Sequence, residues 1–520
     1  MLKTKDYKHF SVLCTNGKEI SFEGASLAGT ALPGDYVSIQ ETVKVLKRVD
    51  HGPFVGVLEL ASKVRYGMTA RNAPIYRFSP YNEAYPPFFV GCTQKDVSRN
   101  VLARIEFSHW DSGTCPRGNL LEIIGPCGDL LAEQKALLLE SSPVKWTRAD
   151  TESLVTPHAP RSLPANTFHI DPPGCRDIDD AISLVPKNGG VEIKIHIADV
   201  SSWLLANPGL QVKAAAIGQT YYHDGFAVKP MFPKSLSEDA FSLLPGQERP
   251  VVTLSIFWNS ATKTLYTDEA YWTLDTIVVK ESYTYSSFYE SIHAPLIQEI
   301  CSSLAGRTLT DSHEWVEHLM LEYNTQVARI LKRTGLGLLR RHAGKDHQRF
   351  MAMEALGLPA HKLAMRAGEY CLSTEMNTEH WGLNRSAYCH ASSPIRRWAD
   401  CINQLALRSI IDPSSTAESP DPEDVDAVNA TSKSAKRFER DIRFVHAILS
   451  PPHTLDAVVA EVTDKIKLWV PAWDRLVTSY KVAAAALGQK VIMSFYADPT
   501  QRSWKRRVII DWKIDARPGV

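Results

Sequence analysis

The stretch FHIDPPGCRDIDDAISL (168–184) sets Asp171, Asp177, Asp179 and Asp180 in one short window, with only Arg176 to offset them. Two like charges about 4 Å apart repel by about 4 kcal/mol at an effective dielectric near 20. A fold that gathers these carboxylates therefore needs a cation, an arginine, or carboxyl groups that keep their protons. The apolar FHI ends a strand at Asp171, and Pro172, Pro173 and Gly174 turn the chain into an irregular loop. Asp179 and Asp180 are neighbours and would point to opposite faces of a regular strand, so loop backbone is needed for both to converge. Oxygen ligands without a nearby Cys or His pair favour Mg²⁺ or Mn²⁺ over Zn²⁺, and Mg²⁺ commonly takes a few carboxylates plus a substrate phosphate. Two such ions about 3.5–4 Å apart would activate a water and stabilise a leaving oxygen. Local turn capping by the aspartates is the alternative. A Ca²⁺ loop of EF-hand type fails, because Asp177 and Asp179 are not followed by the required Gly and terminal Glu.

A second cluster, YCHASSPIRRWAD, occupies 388–400. Pro394 is expected to start a helix with Ser392 or Ser393 as its cap. Arg396 and Arg397 would then lie in the first turn, where the helix dipole disfavours positive charge. Paired arginines there point to an anionic partner such as phosphate, or else to a salt bridge from Arg396 to Asp400.

Around these clusters the chain changes character. Residues 1–150 alternate short β-branched runs with Gly, Pro and Asn turns, as in GKEISFEG, FVGVLELA and YPPFFVGC, a pattern of small barrels. GDLLAEQKALLLE (128–140) switches to helical spacing, and 151–167 reads as a Pro-containing linker. From 312 onward Trp315, Leu319, Tyr323, Val327 and Leu331 recur every four residues and predict an amphipathic helix. The segment 412–426 is acidic and Pro-rich and reads as an exposed loop, followed by a helix. Strand patterns return in 453–513, with Lys465, Lys467, Arg475, Lys490, Arg502, Lys505, Arg506 and Arg507 among them.

At 520 residues the chain is too long for one core. Its 58 basic and 58 acidic side chains cancel, so a bulk basic signature for nucleic acid is absent and any such groove must be local. Nine scattered cysteines, none in a CxxC pair, argue against a disulfide framework or zinc knuckle and fit a reducing compartment, the cytoplasm. Neither a signal-type start nor an apolar run of membrane length is seen, so no membrane association is expected.

Together the two clusters resemble the RNase II / RNase R family of RNB-domain exoribonucleases. The family's acidic signature, Asp-x₅-Asp-x-Asp-Asp, reads here as Asp171, Asp177, Asp179 and Asp180. IHIADVSSWL, KPMFPKSLSEDAFSLLPGQERP, VEHLMLEYN, GLLRRH and HWGLNRSAYCHASSPIRRWAD resemble later family segments in colinear order across roughly 160–450. The resemblance implies an α+β multidomain fold. Cold-shock-like OB barrels would occupy 1–75 and 76–155, a mixed α/β RNB catalytic domain 160–450, and a C-terminal OB-type barrel 453–520.

The same resemblance implies roles. Asp171, Asp177 and Asp180 would help hold Mg²⁺, with Asp179 the carboxylate most needed for chemistry. Arg396 would steady the scissile phosphate, with Arg397 beside it on the RNA. Tyr222 and Tyr285 would stack bases, and Glu317 would contact a sugar or base. The expected reaction is two-metal hydrolysis of single-stranded RNA from its 3′ end to nucleoside 5′-monophosphates. The protein is expected to be a monomer, with an RNA-decay complex as a potential partner. Endonuclease activity is not expected. The rival function is an RNA-binding regulator of the same fold without catalysis, and a third is another Mg²⁺ phosphohydrolase.

The sequence also departs from the family pattern. The segment between Tyr285 and Glu317 is short and lacks the usual strand pair. Ala391-Ser392 replaces Phe-Thr, Trp398 replaces Tyr, and Gln404-Leu405 replaces His-Arg.

Overall fold

Strand pairing, more than sequence proximity, decides which elements share a core. The computed structural model describes every residue except 40–41, 112, 158–165, 345, 366, 450–453, 481–483, 499–507 and 516–520. The chain forms two compact units, one of Met1–Pro143, Met353–Leu358 and Phe438–Val520, the other of Val144–Ala352 and Pro359–Arg437.

In the first unit, strands Leu2–Thr4, His9–Leu13 and Glu19–Glu23 form one sheet, and Tyr36–Ile39 pairs with Val43–Lys47. Five strands between Pro53 and Pro126 then close a barrel. The expected boundary at 75/76 is corrected here. Strand Pro53–Leu58 pairs on one side with Ile75–Pro80 and on the other with Val101–His109, so it belongs wholly to the second barrel. Gly56 permits that pairing, since a Cβ there would fall 2.2 Å from the Ser79 carbonyl oxygen. Helix Leu130–Ser141, capped by Asp129, covers the barrel through Ala132, Ala136 and Leu139. Toward the C-terminus five strands form a sheet in the order Arg475–Ser479, Ile466–Val470, Thr454–Val462, Lys490–Ala497, Val508–Ile514. Of its basic residues, Lys467 bonds Glu461 and Arg475 pairs with Asp441, whereas Arg502, Lys505, Arg506 and Arg507 lie outside the described residues.

The second unit is built on a closed barrel of Thr167–Ile170, Asp180–Lys187, Gly190–Ala198, Glu248–Asn259 and Thr264–Tyr283. Alternate residues point inward. Ile193, Ile195 and Ile197 meet Val252, Leu254 and Ile256 in one buried core. The predicted stripe Trp315, Leu319, Tyr323, Val327 and Leu331 lies on helix Ser312–Thr334 and packs into that core. Burying each such side chain contributes about 1.5–3 kcal/mol.

Two expected boundaries shift. The unit begins at Val144 rather than near 160, because Trp146 donates to the Met231 carbonyl at 2.9 Å and Val155 exchanges hydrogen bonds with Asn207. Residues 422–426, expected in the acidic loop, start helix Pro422–Leu449. Asp421 accepts from the Glu423 and Asp424 N–H groups as an N-cap ahead of a first-turn proline. Among the described residues no helix is long and apolar enough to cross a membrane. The architecture is α+β, with OB-type barrels and a mixed central domain.

Candidate active site

One cavity of about 600 Å³ in the second unit is lined by Asp171, Asp177, Asp179, Asp180, Tyr222, Tyr285, Glu317, Arg396 and Arg397. Every residue given a metal, catalytic or RNA-binding role from the sequence therefore lines the same space.

The acidic loop is anchored at both ends. Strand Thr167–Ile170 delivers Asp171, whose N–H donates to the Tyr283 carbonyl. Its carboxylate lies 2.9 Å from His169 Nδ1, and His169 Nε2 lies 2.8 Å from Ser282 Oγ. Buried Ile178 is pinned by its N–H to Ser242 Oγ and by its carbonyl to the Leu243 N–H. That pin turns Asp179 inward just before Asp180 opens the strand Asp180–Lys187. The two neighbours thus straddle the join of loop and strand, which is how both reach one cavity. Asp177 accepts from the Cys175 thiol at 3.6 Å and from the Tyr222 hydroxyl at 3.5 Å.

Asp179 makes the most consequential contacts. Its Oδ1 accepts the Ile395 N–H at 2.9 Å, and its Oδ2 lies 3.3 Å from Arg396 Nε. Burial pushes its pKa up to about 7 despite the guanidinium and N–H that oppose the rise. Asp180 is raised well above the carboxylate range by burial and then by repulsion from Asp171 and Asp179. Asp177 is raised too, chiefly by burial. The site therefore carries more buried negative charge than one guanidinium relieves.

Asp171 turns to His169 and Asp179 to Arg396, and among the described residues no group of three His, Cys, Asp or Glu side chains is arranged to hold a metal ion. The donor chemistry nevertheless fits a hard divalent cation. Several carboxylates line one cavity, and the raised proton affinity of Asp177, Asp179 and Asp180 reflects burial and charge that a cation would relieve.

The 388–400 segment corrects two expectations. The helix begins at Trp398, not Pro394, and Arg397 is its extended N-cap residue. Thr220 N–H donates to the Arg396 carbonyl and Trp398 N–H to the Gly218 carbonyl, and this short β-bridge keeps 396–397 out of the helix. The two arginines are thus not in the first turn, and the dipole argument for an anion loses its footing. Asp400 pairs with Arg397 rather than Arg396, with Nε–Oδ2 and Nη2–Oδ1 distances of 3.0 Å, and also accepts the Ser393 N–H at 2.8 Å. Gln404, one of the departures from the family pattern, bonds the Ala198 carbonyl and the Ser201 N–H, tying the helix to the end of a barrel strand.

Other cavity residues escaped the sequence reading. Buried Asn324 accepts the Ala391 N–H and donates to Tyr388 Oη and Ser392 Oγ, holding that segment against the long helix. His313 stacks on Tyr285 with ring centroids 3.8 Å apart and planes 14° from parallel. A helical signal for them exists. His313, Glu317, Met320 and Asn324 fall at spacings of four, three and four, a second stripe beside the core stripe. Between Tyr285 and Glu317 the described chain holds a short turn and helix Ala294–Ala305 and no strand pair.

The RNB domain family model matches residues 161–305 and 296–413, and the Dis3-like cold-shock domain 2 (CSD2) model matches 76–142. Exoribonuclease 2 of Proteus mirabilis is 24% identical over 377 residues, 56% of this chain, and the chain spans 58% of that relative's length. Mycoplasma genitalium RNase R, solved in complex with ribose methylated single-stranded RNA, superposes with a TM-score of 0.74 at 16% identity over 97% of this chain and 98% of that one. Yeast Ssd1, a pseudonuclease, superposes with a TM-score of 0.65 at 15% identity over 95% of this chain and 81% of that one. At such identities the structural likeness is one of fold.

Proposed function

This chain belongs to the RNB-domain family, and on that premise we propose that it is an exoribonuclease that hydrolyses single-stranded RNA from the 3′ end and releases nucleoside 5′-monophosphates. One observation carries the proposal: four aspartates and Arg396, with Asp179 and Arg396 217 positions apart, share one cavity.

Asp171, Asp177, Asp179 and Asp180 would hold Mg²⁺, or Mn²⁺ in its place. When bound, such ions would supply an activated water and neutralise charge on the scissile phosphate. Arg396 already points Nη2 at Ser393 Oγ and Nε at Asp179, and would exchange the carboxylate for a phosphate oxygen that gains charge in the transition state. Tyr222 and Tyr285 would guide bases, and Glu317, exposed on the long helix, would meet a ribose hydroxyl. No disulfide joins the described cysteines, which suits the reducing cytoplasm, and there the chain would work as a monomer, alone or within an RNA-decay assembly.

The second function is RNA binding without catalysis. It is favoured by the likeness to a pseudonuclease and by the Arg396–Asp179 contact, which occupies the carboxylate needed for chemistry. The presence of all four aspartates favours the enzyme. The deciding experiment incubates the protein and its Asp179→Asn variant with Mg²⁺ and 5′-labelled single-stranded RNA. A ladder that shortens from the 3′ end in the parent, and disappears in the variant while binding persists, supports the nuclease. Binding without cleavage by either protein supports the alternative.

A further inference from the structure

Five rings line the cavity, those of Tyr222, Tyr285, His313, Tyr388 and His390. They differ in what they can offer a ligand. Tyr388 is 6% exposed, with its hydroxyl taken by Asn324. His390 Nδ1 lies 2.7 Å from the Tyr370 hydroxyl, and Tyr222 and Tyr285 are half-buried. The His313 side chain is 64% exposed. One face of its imidazole lies on Tyr285 at 3.8 Å and 14°, a separation that admits no third ring between them. A base entering from solvent therefore meets the outer face of His313 before it can meet that face of Tyr285.

The ring is also held in place. Asp311 Oδ1 accepts the His313 N–H at 2.9 Å as the cap of the long helix and lies 3.0 Å from His313 Nδ1. The Tyr289 hydroxyl braces this corner by accepting the Ser312 N–H at 2.9 Å. A ring fixed before binding loses little freedom on contact, which favours affinity. Glu317 follows one turn later on the same helix face and lines the same cavity.

We propose that His313, backed by Tyr285, is the plate on which a nucleobase of bound RNA stacks, an assignment that rests on RNA as the ligand of this cavity. Stacking uses the π face common to all bases, so the site tolerates any sequence but favours the larger purines. The imidazole is a positioning group and takes no part in bond cleavage.

The test is made in EDTA, so that nothing is cut. Short single-stranded RNAs carrying 2-aminopurine at successive positions from the 3′ end are titrated with the unaltered full chain and with His313→Ala, His313→Gln and His313→Phe. Thermal melting confirms that the variants are folded, as exposure of the side chain leads us to expect. In the unaltered protein one position is quenched on binding. His313→Ala and His313→Gln should lose that quenching and bind roughly five- to tenfold more weakly, and His313→Phe should restore both. Unchanged quenching in His313→Ala, or rescue by Gln as complete as by Phe, would overturn the assignment. Because metal is absent, RNA that is bound and quenched but never cut when Mg²⁺ is added back would sink the nuclease function and leave this plate standing. RNA that is cut while quenching ignores His313 would do the reverse.

Discussion

Asp179 and Arg396 meet across 217 positions of sequence, with Arg396 Nε 3.3 Å from Asp179 Oδ2 and the adjoining Ile395 N–H on the other carboxylate oxygen. The contact joins the acidic loop to the 388–400 segment. It also supplies the positive charge that a buried carboxylate requires.

Arg396→Ala leaves Asp179, 5% exposed, with the Ile395 N–H still donating to it. We expect a loss of about 1–3 kcal/mol of stability, kept moderate because the Arg396 side chain is 44% exposed and already screened by solvent. Adding Asp179→Asn should recover most of that loss, since the stranded charge is gone. Hydrolysis should fall by a hundredfold or more in Arg396→Ala. Urea unfolding of the four proteins of this cycle tests the coupling, and strictly additive losses would contradict it.

Asp180→Asn should trade activity for stability. Burial, then Asp171 and Asp179, raise the Asp180 pKa above the ordinary 3.8. A raised carboxyl pKa means that the ionised form is penalised in the folded state. The penalty is full above the folded pKa and vanishes below about 3.8. In EDTA the variant should therefore melt higher than the parent at pH 8, and the gap should close as the pH approaches 4. Mg²⁺ should raise the parent's melting temperature more than the variant's. A gap independent of pH would show that the carboxylate is not strained.

These relationships were unevenly legible in the sequence. The long helix declares itself because Trp315, Leu319, Tyr323, Val327 and Leu331 are one buried stripe and periodicity is a local property. The acidic loop declares itself because four carboxylates in one window are costly wherever they fold. The start of the helix at Trp398 does not, since local Ser-Pro preference is overridden by the bridge from Gln219 to Arg397. The strand Pro53–Leu58 is an apolar run that suits either barrel, and only its pairing on both sides assigns it. The stack of His313 on Tyr285 unites a loop and a helix end, so no spacing rule announces it.

His196 predicts acid sensitivity. It is fully buried, with Ser183 Oγ and Thr253 Oγ1 each 2.9 Å from a ring nitrogen. Burial, with a smaller push from Lys194, lowers its pKa from 6.5 to about 3. The folded state thus favours the neutral ring, and the unfolded chain takes up a proton below about 6.5. The stability this provides is full above that pH and is lost as the pH falls toward 3. His196→Gln can keep hydrogen bonds to both hydroxyls but cannot titrate. Its unfolding free energy should fall less steeply between pH 6 and 4, by about 1.4 kcal/mol per pH unit. The raised carboxyls near Asp180 act in the opposite sense but are common to both proteins and cancel in the comparison. Equal slopes would mean that the folded protein already accepts the proton.

The two neighbouring arginines should separate cleanly. Arg396 is partly exposed beside the aspartates, whereas Arg397 is held by Asp400, which is fully buried and also accepts the Ser393 N–H. Removing one partner of such a buried pair strands the other and costs about 3–5 kcal/mol. Arg397→Ala and Asp400→Ala should therefore each lower stability by several kcal/mol, with losses far from additive. Phosphate contacts behave differently, because each one formed releases condensed counterions and contributes about 0.7 to the slope of log affinity against log salt for a single strand. Arg396→Ala should flatten that slope for single-stranded RNA by about 0.7. Arg397→Ala, assayed well below its own unfolding midpoint, should leave the slope unchanged. A flattened slope in Arg397→Ala with stability intact would show instead that RNA draws Arg397 away from Asp400.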